Sequence, residues 1–338
     1  MTPSASARLR RASAVAGALA LAASLSACAA SAEPAQSPET SAQSADFPVT
    51  ITHAMGETVI PEQPKRVVAL DPSYSDAALL LDAELVGYVD YRQDAEQPFA
   101  DYLGDVTEAT ADSVSVGSIA EPDLEAIAAL KPDLIISAKV RQEALYPQLS
   151  QIAPTVFSES TGPTWKENVV LLGEALGKKE KAEKAVAAYE ERAAAVGEAI
   201  LAENPDLSVT LIRFSGGDTA RLYSSDSFIG EILTDMGLPR PESAPDTTES
   251  IFVDISPENI LDVDSGLILV STWAPEGAEG DASRAQREQF QSNPLWDRLA
   301  GEKLEVDDAT FLASVSIQGA DEVITTLAEH FGVDPQED

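Results

Sequence analysis

The apolar positions of this chain fall into short continuous runs separated by amphipathic stretches. The run at residues 67–70 is followed by Asp71-Pro72, and similar runs occur at residues 134–137 and in the segment SGLILVST. A short unbroken apolar run that ends in a turn is typical of a strand buried on both faces of a parallel sheet. Helical periodicity accompanies these runs, as in LEAIAAL before residue 134. Strands that alternate with helices predict an α/β fold with parallel sheets.

The middle of the chain predicts one unusually long helix. The segment KEKAEKAVAAYEERAAAVGEAILAE, residues 179–203, is rich in Ala, Glu and Lys and is followed by Asn204-Pro205, which stops a helix. A helix of about 25 residues spans roughly 37 Å, which suits a strut between two lobes. Just before it, Thr164 and Glu167 have the spacing of a capping box, which predicts a helix over residues 165–176.

Two segments on either side of the long helix resemble each other. LEAIAALKPDLIIS at residues 124–137 and PENILDVDSGLILV at residues 257–270 each predict a helix, a turn and an apolar strand. We therefore predict two lobes with one supersecondary plan. The expected organisation is an N-terminal α/β lobe at residues 47–163, a helical connector at 164–204 and a C-terminal α/β lobe at 205–338.

The first residues have the pattern of a targeting segment. Three arginines, Arg8, Arg10 and Arg11, precede a small apolar run at residues 12–25, and Leu-Ser-Ala-Cys28 follows. This segment resembles the lipobox of bacterial lipoproteins, which implies a signal peptide at residues 1–27 and a lipid on Cys28. Residues 28–46 are small and polar and predict a flexible tether. The expected location is the cell surface or the periplasmic face of the cytoplasmic membrane.

Composition and charge exclude several classes of function. With 57 acidic and 22 basic residues the formal net charge is −35, which would repel nucleic acid. The single cysteine and the two distant histidines, His53 and His330, do not form a cluster that could bind a transition metal. The chain carries no G-x-S-x-G, P-loop or G-x-G-x-x-G motif, so we do not expect the protein to be an enzyme.

Six segments, taken together and in order, resemble one family. They are PKRVVALDPSYSDAALLL, VGSIAEPDLEAIAALKPDLIIS, LYPQLSQIAPTVF, RLYSSDSFIGEILTDMGLPRP, DISPENI and NPLW. The family is the substrate-binding lipoproteins of iron-siderophore and cobalamin ABC importers. The resemblance implies two Rossmann-like α/β lobes joined by one long rigid helix, with the ligand in the cleft between them. It also implies a monomer that delivers a ferric siderophore to the permease subunits.

A ferric siderophore arrives with its iron already coordinated, so the protein needs cationic donors and aromatic faces rather than a metal cofactor. Arginine donates bidentate bonds to chelate oxygens, and Tyr and Trp offer apolar faces with a polar edge. Arg213 directly follows an apolar strand, where open α/β sheets bind ligands. From strand-end positions and the family resemblance, the predicted ligand-binding residues are Arg213, Trp273, Arg141, Arg221, Tyr223, Tyr91, Arg92, Ser73, Tyr74 and Phe311.

The resemblance also implies two acidic residues that dock on arginines of the permease. Glu143 matches this position in the first lobe and Glu231 matches it in the second. A haem- or cobalamin-binding protein of the same importer class is the open alternative, since Tyr91 or Tyr223 offers an axial ligand for haem and cobalamin sites are mainly aromatic. A manganese- or zinc-binding relative would want more imidazoles than His53 and His330 provide.

Overall fold

The computed structural model describes residues 47–90 and 98–337. The predicted signal peptide and tether, Cys28, Tyr91 and Arg92 lie outside the described residues. Ser44–Asp338 forms one compact unit. It begins with an antiparallel hairpin of β1 (Val49–His53) and β2 (Gly56–Ile60), as the alternation of apolar residues predicts. Within the described residues, no helix combines the length and the apolar character needed to cross a bilayer.

The first lobe is a parallel sheet with helices on its faces. Its elements in chain order are β3 (Arg66–Ala69), α1 (Pro72–Leu80), β4 (Glu84–Asp90), β5 (Val114–Ser118), α2 (Leu124–Leu130), β6 (Leu134–Ala138), α3 (Lys139–Gln142), α4 (Tyr146–Leu149) and β7 (Thr155–Ser158). The strands pair in the order β5-β4-β3-β6-β7 and all these pairs are parallel. All five residues of β6 are buried, because helices cover both faces of the sheet.

Two helices connect the lobes. They are α5 (Trp165–Ala175) and α6 (Lys179–Glu203), and the bounds of α6 are those predicted from the sequence. The buried residues of α6 recur at helical spacing, from Ala182 through Tyr189 and Ala193 to Ile200. Gly197 lies on this stripe, where a Cβ atom would come within 1.7 Å of the carbonyl oxygen of Met236. The long helix therefore packs against the second lobe at backbone distance.

The second lobe has a mixed sheet. Its elements are β8 (Val209–Phe214), β9 (Ala220–Tyr223), α7 (Phe228–Asp235), β10 (Phe252–Ile255), β11 (Leu267–Thr272), α8 (Ala278–Ser292), β12 (Glu302–Val306) and α9 (Ile317–Phe331). Strands β8, β11 and β12 are parallel, whereas β9 runs antiparallel to both β8 and β10. The predicted parallel arrangement holds for β8, β11 and β12, and the hairpin from β8 to β9 adds antiparallel strands to it. Only five residues separate β8 from β9, which is enough for a hairpin and too few for a parallel crossover.

The two lobes have the same order of strands and share one hydrophobic core. The second sheet has the order β10-β9-β8-β11-β12, so each sheet grows from a central first strand outward to both sides, as the repeated segments predict. The largest hydrophobic cluster contains Val67 of the first sheet, Val196 of α6 and Leu269 of the second sheet. Because this core is continuous across α6, relative motion of the lobes would disturb close packing.

Two local predictions are wrong. Thr164 precedes α5 but makes no capping bond to the helix, because its hydroxyl group lies 3.1 Å from the carbonyl oxygen of Ser160 and donates to it. The second of the two similar segments forms a 3₁₀ helix at Pro257–Val263 rather than an α-helix.

His53 joins the hairpin to the first lobe, and its contacts lead us to expect a pH-dependent free energy of unfolding. Its Nδ1 atom lies 3.2 Å from the backbone nitrogen of Met55 and 3.4 Å from that of Phe157, and its Nε2 atom lies 2.9 Å from the hydroxyl group of Thr58. Because two backbone N–H groups point at Nδ1, this atom must accept hydrogen bonds. The neutral ring can do so, whereas the protonated ring carries a proton on Nδ1 and cannot. Burial lowers the pKa of His53 below its ordinary value.

A lowered pKa means that the unfolded chain binds this proton more readily than the folded one. The contribution of His53 to stability is therefore complete above the ordinary pKa of about 6.5 and is lost as pH falls from there through the lowered folded pKa. We expect less than about 1 kcal/mol, because the ring is only partly buried. Chemical denaturation at pH 5 and pH 8 measures the loss. His53→Asn keeps an acceptor near Nδ1 and should remove this part of the pH dependence; an unchanged dependence would contradict the assignment.

Candidate functional site

Two of the predicted arginines each lie beside the switch point of one sheet. In each sheet the chain leaves the first strand in one direction and later returns to its other side, so a switch point lies between β3 and β6 and another between β8 and β11. Open α/β sheets bind ligands beyond the carboxyl ends of the strands at such points. Arg141 follows β6 in the first lobe, and Arg213 lies near the end of β8 in the second. The topology therefore supports both arginines as candidate ligand residues.

Arg213 is held by a network of polar side chains. Its Nε and Nη2 atoms each lie 2.6 Å from an oxygen of the Asp308 carboxylate, which makes a two-bond fork. Its Nη1 atom donates to the hydroxyl group of Tyr223 at 3.1 Å. Ser271, opposite Arg213 on β11, donates to the same carboxylate at 2.7 Å. The structure thus brings together two predicted residues, Arg213 and Tyr223, and fixes the plane of the guanidinium group.

A second arginine lies beside Arg213 in the sheet. Arg221 on β9 pairs directly with Arg213 on β8, so both side chains leave the same face. The guanidinium carbon of Arg221 lies 4.5 Å from the centre of the Phe252 ring, in cation–π geometry. Two neighbouring like charges repel, and the carboxylate of Asp308 offsets one of them. Arg221 thus adds a second cation beside the Arg213–Asp308 pair.

The first lobe presents Arg141 in a similar way. Its Nε atom lies 2.8 Å from the carboxylate of Asp71, which lies two positions after β3 and is 3% exposed. The other oxygen of Asp71 accepts bonds from the backbone N–H and the hydroxyl group of Ser73, at 3.1 and 2.7 Å. The predicted residues Ser73 and Arg141 therefore meet on one carboxylate. About a third of the Arg141 side chain is exposed, so its guanidinium group is accessible to solvent.

The two lobes meet at a buried carboxylate. Asp76 on α1 accepts from the hydroxyl group of Ser316, the N-cap of α9, at 2.8 Å and from that of Tyr102 at 2.7 Å. Its backbone carbonyl accepts from Gln318 at 2.9 Å. A small pocket at this contact is lined from both lobes by Pro72, Ser75, Asp76, Tyr88, Pro98, Phe99, Ala100, Tyr102 and Ala313. This pocket shows where the cleft between the lobes begins.

The predicted aromatic residues lie in different surroundings. Tyr74 and Phe311 are each 1% exposed and belong to the main core. The hydroxyl group of Tyr74 forms a hydrogen bond with that of Ser158, and burial raises the pKa of Tyr74 well above its ordinary value. Trp273 is partly exposed just after β11, beside the second switch point. Among the described aromatic residues of the prediction, Trp273 thus has the most open face.

The two predicted docking residues also differ. Glu143 is exposed in a 3₁₀ turn of the first lobe. Glu231 on α7 lies 3.7 Å from Lys166 of α5, which binds Asp235 at 2.7 Å and faces Glu190 at 3.5 Å. Burial is the main cause that raises the pKa of Glu231, and the charge of Lys166 partly offsets it. Glu231 therefore belongs to a partly buried ionic cluster, whereas Glu143 is solvated.

Sequence reasoning did not single out the acids that organise the cleft. Asp71 and Asp76 are buried and the Asp308 side chain is 10% exposed, yet no sequence motif distinguishes them among 57 acidic residues. The one available signal is position, since Asp71 and Asp308 each follow a strand end by one or two residues. In residues 47–90 and 98–337, no group of three or more His, Cys, Asp or Glu side chains is placed to hold a metal ion.

Comparison with known proteins gives a consistent result. The chain is 35% identical over 292 residues to a protein of Bacillus subtilis named probable siderophore-binding lipoprotein YfiY, which covers 83% of this chain and 87% of that protein. It is 28% identical over 296 residues to the Fe(3+) dicitrate-binding periplasmic protein FecB of Escherichia coli, covering 86% and 92% of the two chains.

A solved structure also resembles this one. Staphylococcus aureus SirA complexed with staphyloferrin B matches with a TM-score of 0.76 and 29% identity, over 85% of this chain and 100% of that one. The sequence model of the periplasmic binding protein family matches residues 67–301, which include the switch-point residues Arg141 and Arg213 and most of both lobes. The chain therefore belongs to the periplasmic binding protein family.

Proposed function

We propose that this protein captures a ferric siderophore outside the membrane and delivers it to the permease of an ABC importer. The observation that carries the proposal is the placement of Arg141 and Arg213 at the carboxyl-end switch points of the two sheets. Cationic donors on both sides of one cleft suit a large ligand whose oxygens point outward. The names of the relatives support the same ligand class, since they bind a siderophore, ferric dicitrate and staphyloferrin B.

Binding needs no chemical step in this account. The iron is cargo that arrives inside its chelate, so the protein contributes donors, aromatic faces and shape rather than metal ligands or a cofactor. Arg213, Arg221 and Arg141 would bind the chelate oxygens, and Trp273 would cover an apolar face. The shared core across α6 favours a binder whose lobes move little. We accordingly propose a monomeric carrier without catalytic activity.

Delivery requires an anchor and a docking surface. A lipid on Cys28 would hold the protein on the membrane, since two buried acyl chains anchor stably. The exposed Glu143 and the partly buried Glu231 would meet basic residues of the permease, one from each lobe. These roles rest on the family resemblance and on the positions of the two side chains.

The haem and cobalamin alternative has less support. The hydroxyl group of Tyr223, one candidate axial ligand for haem, accepts a hydrogen bond from Arg213. A phenol that accepts from an arginine is held in the wall of the site rather than directed at a metal. The relatives named above bind iron chelates.

A titration tests the proposal. Ser44–Asp338 contains every hydrophobic cluster and is a compact unit, so it serves as the soluble protein. Tryptophan fluorescence would be followed with ferric citrate, a ferric trihydroxamate, a ferric tricatecholate, haem and cobalamin, with iron-free siderophores as controls. We expect saturable quenching below about 1 μM by at least one ferric class, an affinity stronger than about 8 kcal/mol, and weaker saturable quenching by the others. Binding of haem or cobalamin alone would overturn the proposed ligand.

Trp273 gives a more local prediction. Because the indole is partly exposed beside the second switch point, Trp273→Ala should weaken chelate binding about tenfold through loss of its apolar face. Trp273→Phe keeps most of that face and should change the Kd by less than about threefold. Equal losses in the two variants, measured by the same titration, would mean that the aromatic face does not contact the ligand.

A further inference from the structure

The carboxylate of Asp308 binds the Nε–Nη2 edge of the Arg213 guanidinium group. It binds Nε and Nη2 of Arg213, accepts from Ser271, and like its partner is only 10% exposed. A side-on fork leaves the guanidinium plane fixed and turns Nη1 toward Tyr223. The pair of Arg213 and Asp308 has no net charge, and it lies on the side of the site that we propose contacts the chelate.

The first lobe has a related arrangement on different strands. Asp71 binds the Nε atom of Arg141 at 2.8 Å and is itself held by Ser73. Asp71 lies two positions after β3 and Arg141 follows β6, whereas Asp308 lies two positions after β12 and Arg213 is on β8. Each lobe thus pairs an arginine beside its switch point with an acid that also accepts from a serine, which indicates a role tied to the cleft rather than to one local packing problem.

A buried carboxylate beside an arginine has a direct electrostatic consequence for a ligand. An arriving anion is attracted by Arg213 and repelled by Asp308, so the pair distinguishes ligands only weakly by their total charge. It distinguishes them strongly by whether their oxygens meet the N–H groups of Arg213 that do not bind Asp308. Arg221, the neighbour of Arg213 across the strands, has its cationic group over the Phe252 ring rather than on an acid. The charge of this wall therefore depends on the carboxylate of Asp308.

We propose that Asp308 is a specificity-determining residue, which orients Arg213 and limits the preference of the cleft for highly anionic chelates. This inference rests on the proposed function, because it concerns the same ligand. Asp71 plays the corresponding part for Arg141 on the first lobe. Removal of the Asp308 charge leaves the positive charge of Arg213 uncompensated by that carboxylate, so the cleft should then select for negative charge.

The test compares the wild-type protein with Asp308→Asn, which keeps the shape and one acceptor but removes the charge. The Kd of ferric tricatecholate, which carries several negative charges, and that of a neutral ferric trihydroxamate are measured in about 20 mM and about 300 mM NaCl. We expect the affinity ratio of the anionic to the neutral chelate to rise about tenfold at low salt and to shrink at high salt. The exposed Asp297→Asn is the matched control and should leave the ratio within about twofold.

The outcomes separate the two proposals. If the wild-type protein binds none of the ferric chelates, the proposed function fails and this inference falls with it. If the wild-type protein binds a ferric chelate but Asp308→Asn leaves the ratio unchanged or lowers it, the inference alone is overturned. Should Asp308→Asn fail to fold, Asp71→Asn makes the same comparison on the first lobe, where Arg141 is partly solvated and tolerates the loss better.

Discussion

Arg213→Met should lower the affinity for the ferric chelate about 100-fold, or roughly 2.7 kcal/mol. The methionine keeps an apolar stem of similar length but removes the guanidinium group that lies between Asp308 and Tyr223. The loss is large because charge-assisted bonds in a desolvated wall are stronger than those on the surface. Titration of Ser44–Asp338 with the chelate that binds best to the wild-type protein measures it.

This variant needs a control for folding. Arg213→Met leaves the buried carboxylate of Asp308 without its cation, which should cost about 3–5 kcal/mol of the free energy of unfolding. The double variant Arg213→Met/Asp308→Asn removes that unpaired charge and should regain most of the stability while binding stays weak. The exposed Arg298→Met is the matched arginine control and should bind as the wild-type protein does. Recovery of binding in the double variant would exclude Arg213 as a ligand contact.

Asp76→Ala should reduce the free energy of unfolding by about 2–4 kcal/mol and loosen the contact between the lobes. The substitution removes the acceptor of the buried Ser316 hydroxyl group and of the Tyr102 hydroxyl group. It also removes a negative charge from the N-terminus of α9, where the helix dipole favours one. Urea denaturation measures the stability, and hydrogen exchange in the first turn of α9 measures the local loosening.

A matched control distinguishes this effect from a general loss of acidic charge. Asp262 is exposed in the second lobe, so Asp262→Ala should change stability by no more than about 0.5 kcal/mol. If Asp76→Ala loses no more stability than Asp262→Ala, the interlobe contact contributes nothing and the rigidity must come from the shared core alone. Faster exchange spread over both lobes, rather than confined to α9, would also contradict a local role.

The sequence predicts local features of the fold well because those features have local causes. The bounds of α6 follow from its Ala, Glu and Lys content and from the stop at Asn204-Pro205, and these causes act within a few residues. The buried strands β3, β6 and β11 follow from unbroken apolar runs. The antiparallel strands β9 and β10 have four residues each, so their alternation is too short to reveal their direction.

In the candidate site, too, residues that follow a local pattern can be predicted and their distant partners cannot. Arg141 and Arg213 can be predicted because arginine at the end of a buried strand is a local pattern. Their partners cannot, since Asp71 lies 70 residues from Arg141 and Asp308 lies 95 residues from Arg213. The interlobe bond joins Asp76 to Ser316 across 240 residues. Only the folded topology brings such residues together, and a chain with 57 acids offers no local signal for choosing among them.

The central claim is that an iron chelate binds between Arg141 and Arg213, in the cleft between the two lobes. A crystal structure of Ser44–Asp338 with the tightest-binding ferric chelate tests it most directly, with the anomalous signal of iron marking the metal. The account predicts an iron peak between the two switch points, with chelate oxygens within hydrogen-bond distance of both guanidinium groups. An iron peak elsewhere, or one coordinated directly by protein side chains, would contradict it.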